Sequence, residues 1–221
     1  MSQNGLLSIF SLSILLLFSC KQAPEGEQVE AREATQAQSE QHTPQTAQLQ
    51  VNTQTSEILW EGTKPGRNHT GTLKLQKGHI QVANGQISGG EFVIDMNSIN
   101  NTDQTGDDKS DLEAHLKSSD FFDTDQYPTA SFVITKVEPL EGRDDANYLV
   151  TGNLTIKGIT KSVSIPAQVH FTEQSVDVTT PKFTVDRTQW DITYKSGIIG
   201  TAKDRLIHDQ IGLQIKLQAM L

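Results

Sequence analysis

From Val51 to Leu221 apolar side chains recur at every second position, and that rhythm restricts the chain to half-buried β-strands. The closing stretch is the cleanest case: Ile211, Leu213, Ile215 and Leu217 alternate with Gly212, Gln214, Lys216 and Gln218. Val163, Ile165, Ala167, Val169 and Phe171 form a longer series of the same kind. Phe92, Ile94 and Met96 alternate with Val93, Asp95 and Asn97, as do Ile58 and Trp60 with Leu59 and Glu61, and Leu154 and Ile156 with Thr155 and Lys157. Further strands are expected at Leu73 and Leu75, Ile80 and Val82, Phe132 and Ile134, Leu149, Val176 and Val178, and Phe183 and Val185. Asn84-Gly85 is a hairpin signal, and Lys157-Gly158 joins two more strands. The stretch between Glu138 and Asn147, with Pro139 and Gly142, reads as a polar loop. About ten such strands must each hide one face, as a sandwich or as a closed barrel, and alternation fits both.

One segment breaks the rhythm. Ser110 with Glu113 reads as a capping box, so a helix is expected to start there, with Leu112, His115 and Leu116 on one face. An acidic loop, Asn100 to Ser110, leads into it. Phe121 and Phe122 follow among Asp120, Asp123 and Asp125 and must bury against something. Pro128 then forces extension at Tyr127. This wording, HL-x-S-x-DFF, then Tyr-Pro, then a Phe-containing strand, resembles the YceI-like family of lipid- and polyisoprenoid-binding proteins. The resemblance covers nearly all of Val51 to Leu221. It implies an all-β fold: an extended antiparallel lipocalin-like barrel of about eight main strands, with a short helix-loop near one end. Many members carry a His in the second half of the first strand, where this chain has Lys64.

The N-terminus carries a separate message. Residues 6–18 (LLSIFSLSILLLF) are too short to span a bilayer but suit a signal peptide over residues 1–19. Cys20, the only cysteine, follows at once, so no internal disulfide can form. Leu17-Phe18-Ser19-Cys20 resembles a bacterial lipoprotein processing site, which implies acylation of Cys20 and a membrane partner through that anchor. The implied location is the cell envelope, at the outer membrane facing the periplasm. Residues 21–50 are Gln, Glu, Ala and Thr without an aromatic and read as a disordered tether reaching roughly 30 Å. The net charge of −9 argues against a nucleic-acid partner.

Motifs for catalysis or metal binding are missing from the sequence. The six histidines form no HxH or HExxH pattern, and there is no GxSxG elbow or phosphate-cradling glycine loop. The expectation is a non-enzymatic protein without a cofactor that binds a long apolar ligand inside the barrel, a polyisoprenoid or fatty-acid-like lipid. The alternative is a filled barrel or sandwich serving as an envelope interaction module. Candidate wall residues in the inward phase are Trp60, Phe92, Ile94, Met96, Phe132, Ile134, Leu154, Phe171, Phe183, Ile211 and Leu213. His115 either meets a ligand head group or pins the helix. Phe121 and Phe122 wall the cavity or anchor the loop. In the cluster DRTQWDITY, Arg187 and Trp190 cover an opening, or Arg187 makes a barrel-closing salt bridge with Asp204 or Asp209.

Overall fold

The computed structural model describes residues 23–36, 46–202 and 205–220. The signal segment, Cys20 and Asp204 lie outside the described residues. In chain order the strands are β1 (Glu27–Val29), β2 (Arg32–Glu33), β3 (Thr46–Val51), β4 (Glu57–Lys64), β5 (Arg67–Ala83) and β6 (Gln86–Asn101). Helix α1 (Gly106–Lys117) follows, then β7 (Thr129–Pro139), β8 (Tyr148–Ile156), β9 (Ile159–Phe171), β10 (Ser175–Thr179), β11 (Phe183–Asp186) and β12 (Gln210–Met220). A 3-10 turn, Arg187–Trp190, leaves β11.

The pairings close on themselves. β4 pairs β5, and antiparallel neighbours run through β6, β7, β8, β9 and β10 to β12, which returns to β4. This barrel removes the choice that alternation left open. Closure also removes the exposed edges that an open sheet would present. Asn84 and Gly85 sit at φ 54° and 75°, and Lys157 and Gly158 at 47° and 73°, as two-residue hairpin turns require. β5 is one strand where two were expected. A bulge between Leu75 and Lys77 shifts its phase, so Leu73 and Leu75 share the inner face with Ile80 despite the odd-to-even change.

The interior divides along its length. At one end Ile80, Phe92, Ile134, Val150, Val169, Val176 and Ala219 pack into a solid core. At the other end a second cluster forms around Val163, Ile165, Phe183, Val185 and Trp190.

Two expectations are corrected. Helix α1 begins at Gly106, a turn before Ser110, and the capping box does not form. Asp107 and Asp108 occupy its first turn, where acidic side chains complement the helix dipole. Ser110 donates instead to the Gly106 carbonyl inside the helix, at 3.2 Å. Glu113 accepts the backbone N–H of Asn101 at 2.7 Å and so ties the helix to the end of β6.

The second correction concerns the tether. Residues 23–36 lie in the barrel wall. β10 and β11 share β12 between them, and β11 does not reach β9. The N-terminal segment fills that seam, with β1 parallel to β11 and β2 antiparallel to β9. Val29 is buried beside Val163 and Phe183. Thr35 and Asn153 exchange hydrogen bonds of 3.0 and 2.6 Å, and Lys161 meets Glu33 at 2.9 Å. Backbone pairing holds a segment whose composition alone offers little to bury. Val29→Ala is therefore expected to cost about 1–2 kcal/mol, whereas Glu30→Ala, at the exposed Glu30–Arg32 pair, changes stability by less than about 0.5 kcal/mol. Denaturant unfolding of the two variants checks this, and equal effects would return residues 23–36 to the status of a free tail.

Candidate ligand cavity

The barrel is hollow beneath α1, where both clusters supply walls: Ile58, Leu73, Ile94, Met96, Ile99 and Ala130 from the first, Phe121 and Val185 from the second. A cavity of about 270 Å³ lies between the strands, α1 and the loop that follows the 3-10 turn. Its walls come from alternate residues of the strands. β4 supplies Ile58, Trp60 and Gly62, β6 supplies Ile94, Met96 and Ile99, and β12 supplies Ile211 and Leu213. Leu154 and Ile156 of β8 complete the apolar ring. Helix α1 turns Leu112, His115 and Leu116 onto it, the three residues expected on one helical face.

Of the expected wall residues, Trp60, Ile94, Met96, Leu154, Ile211 and Leu213 line the space, as do His115, Phe121 and Phe122. The other six do not. Phe92 and Ile134 belong to the solid half, and Phe171 packs against that half. Phe132 lies over Gly152 and bridges the two clusters. Phe183 and Trp190 are 1 % and 0 % exposed, and the Trp190 indole N–H donates to the Leu154 carbonyl at 3.1 Å. The five strand residues follow the inward phase, but alternation says nothing about position along the barrel; Trp190, expected to cover an opening, is instead packed inside the second cluster. The loop residues Tyr194, Lys195, Ile207 and His208 also line the cavity and carry no periodic signal. Thr63, Leu73, Ala130 and Val185 were missed as well, though Leu73 and Val185 follow the inward phase of their strands.

The Asp-Phe-Phe-Asp loop is held by its own backbone. Phe122 N–H donates to Leu116 O at 3.1 Å, Asp123 N–H to Ser118 O at 2.8 Å and Thr124 N–H to Lys117 O at 2.9 Å. Phe121 is buried and does two jobs. It walls the cavity and anchors the loop, with its ring 5.5 Å from His115, 5.9 Å from Tyr194 and 6.0 Å from Phe122. The Arg187 guanidinium lies 5.5 Å above the Phe121 ring, within cation–π range.

Arg187 itself is 1 % exposed and spends its donors on structure. Nε donates to His208 O at 3.2 Å, Nη2 to Ile207 O at 3.0 Å and to Asp209 Oδ1 at 3.1 Å, and Nη1 to Ile192 O. Of the two expected acidic partners, Asp209 is the one seen. Burial pulls the guanidinium below its ordinary pKa, and Asp209 and Asp186 pull it back. The residue closes the barrel by fastening the loop to the 3-10 turn, and four of its five N–H donors are spent on that task.

At the mouth His69 lines the cavity, with Nδ1 3.0 Å from Asp103 Oδ2. Burial pushes the Asp103 carboxyl up, but hydrogen bonds from the Thr70 backbone, His69 and Asn101 outweigh it and hold the group below its usual range. Among the described residues no group of three or more His, Cys, Asp or Glu could hold a metal ion. Among them, too, no helix is long and apolar enough to cross a membrane.

A closed antiparallel barrel, solid at one end and hollow and greasy at the other, defines a lipocalin-like class of fold. The YceI-like domain family matches residues 49–219, and the chain belongs to that family. Protein YceI of Escherichia coli is 34% identical over 74 residues, which are 34% of this chain and 37% of that protein. A UPF0312 protein of Photorhabdus laumondii is 38% identical over 60 residues, 27% of this chain and 29% of the relative. The matches thus span about a third of these curated relatives. Among solved structures, Burkholderia cenocepacia BcnA superposes with a TM-score of 0.62 at 20% identity, over 77% of this chain and 99% of that one. A domain from Saccharophagus degradans, described as polyisoprenoid-binding and implicated in plant cell wall breakdown, gives 0.56 at 11% identity over 80% of this chain and 99% of that one. Both likenesses establish the shared fold.

Proposed function

We propose that this protein binds a long apolar ligand, a polyisoprenoid or fatty-acid-like lipid, in the hollow end of its barrel and performs no chemistry on it. The observation that carries this reading is the cavity of about 270 Å³ walled by Trp60, Ile94, Met96, Leu154 and Leu213. The family membership and the description of the Saccharophagus degradans domain support it. A ligand burying about 500 Å² of apolar surface gains on the order of 12 kcal/mol gross. Lost translational freedom and chain ordering remove much of that, and a micromolar complex survives the subtraction.

The proposal includes secretion, cleavage before Cys20, and acylation of that cysteine at the cell envelope. Pro24 packs against Gly212 on the barrel. Four residues of extended chain reach at most roughly 14 Å, so an acylated Cys20 would hold the barrel against the membrane surface rather than on a long leash. Such closeness suits a protein that takes lipid from a bilayer.

The solid half of the barrel favours the competing reading, an envelope module without a ligand. Mass spectrometry of an organic extract from the natively purified protein separates the two. Stoichiometric recovery of one lipid class is the expected result, and extracts free of lipid would favour the module.

A further inference from the structure

Two buried polar side-chain atoms at the mouth of this cavity have no hydrogen-bond partner: Thr63 Oγ1 and His115 Nε2. Thr63 is 4 % exposed, and the nearest carboxylate to His115 Nε2, that of Asp120, is 3.8 Å away, too far for a hydrogen bond. Unpaired polar atoms in an apolar wall are costly and call for a partner. The unpaired indole N–H of Trp60 lies deeper along β4 on the same cavity.

Asp120 beside His115 does not line the cavity, and the Lys and Arg side chains that do line it have one sign. Lys64 and Lys195 line the cavity, and neither pairs with a carboxylate among the described residues. No Asp or Glu among the described residues lines it, although the chain carries a net charge of −9. The groups are contiguous. Lys195 Nζ sits 5.0 Å from the Tyr194 ring centre, and that ring is 4.7 Å from His115. His208 N–H donates to Thr63 O at 2.9 Å, and Ile207 N–H to Lys195 O at 2.9 Å, which brings the loop against the end of β4. Arg187 also lines the cavity, but four of its five N–H donors already serve loop carbonyls and Asp209.

An ammonium only donates, and a hydroxyl and an imidazole can both donate. Their common complement is a small, negative, acceptor-only group. We infer that the ligand is a long-chain carboxylate, with its head held among Lys64, Lys195, Thr63 and His115 and its tail running inward past Met96. The inference rests on the apolar-ligand reading and narrows it to an anionic amphiphile.

The test uses the full chain stripped of lipid, titrated calorimetrically at low ionic strength with palmitate and with hexadecanol, which share a tail and differ in the head. Palmitate is expected to bind at least about tenfold more tightly, since at low ionic strength two exposed, weakly screened cations beside the unpaired Thr63 and His115 favour the anion. In the double variant Lys64→Gln/Lys195→Gln that ratio is expected to fall toward one, with circular dichroism confirming the fold. Equal affinity for both probes in the unmodified protein, or a ratio untouched by the double variant, overturns the head-group assignment and leaves the apolar cavity standing. Failure of both probes to bind removes the apolar-ligand reading and the head group with it.

Discussion

Arg187→Ala is expected to destabilise the protein by about 3 kcal/mol. The guanidinium is buried and serves three backbone carbonyls besides Asp209. Its removal leaves those carbonyls unpaired in the interior and strips the cation from the Phe121 ring. Breaking a fully buried pair costs about 3–5 kcal/mol, but Asp209 is 25% exposed and regains water, which places the effect at the lower end. Arg187→Lys does not rescue it, because a single ammonium cannot reproduce the planar fork. Equilibrium denaturation measures the loss. A cost below about 1 kcal/mol would show that the loop from Ile192 to Asp209 is held by other contacts.

Gly62→Phe is expected to leave stability within about 1 kcal/mol of the parent and to abolish ligand retention. No atom lies within 4 Å of where a Cβ would stand at Gly62, and the residue lines the cavity between Trp60 and Lys64. A benzyl group there fills the space that a lipid tail would use. The other glycines within strands offer no such room. A Cβ at Gly71 would collide with the Trp60 indole and the Asn100 carbonyl, and one at Gly152 with the Phe132 ring. Substitution at those sites costs about 1–3 kcal/mol through overpacking. Thermal melts paired with mass spectrometry of extracts separate the two classes. Lipid recovered undiminished from a well-folded Gly62→Phe protein would place the ligand outside this cavity.

The strand phases were legible because one side of each strand faces the interior and the other faces water. Val163, Ile165, Ala167 and Val169 are buried as their alternation requires. The turns at Asn84-Gly85 and Lys157-Gly158 were legible because few residue pairs tolerate two successive positive φ angles. The helix start was misread at Ser110 because an internal Ser and Glu reproduce a capping box. Glu113 in fact serves Asn101, a partner supplied by β6.

The site was legible in part. Trp60, Met96 and Leu213 line the hollow end, while Phe183 and Trp190 fill solid core. An inward side chain looks the same in sequence whether it meets a void or another side chain. Tyr194, Lys195 and His208 gave no signal, since their loop is placed by Arg187 rather than by any local pattern. The strap at residues 23–36 was missed because backbone hydrogen bonds, which any composition can make, hold it.

From the sequence alone came the strand rhythm, the hairpin turns and the family, all carried by short-range pattern. Tertiary structure alone decided that β12 returns to β4, that residues 23–36 seal the seam beside β9, and that the hollow lies at the α1 end. Those outcomes depend on how packed volumes and strand edges meet across long sequence separations, and no local pattern encodes them.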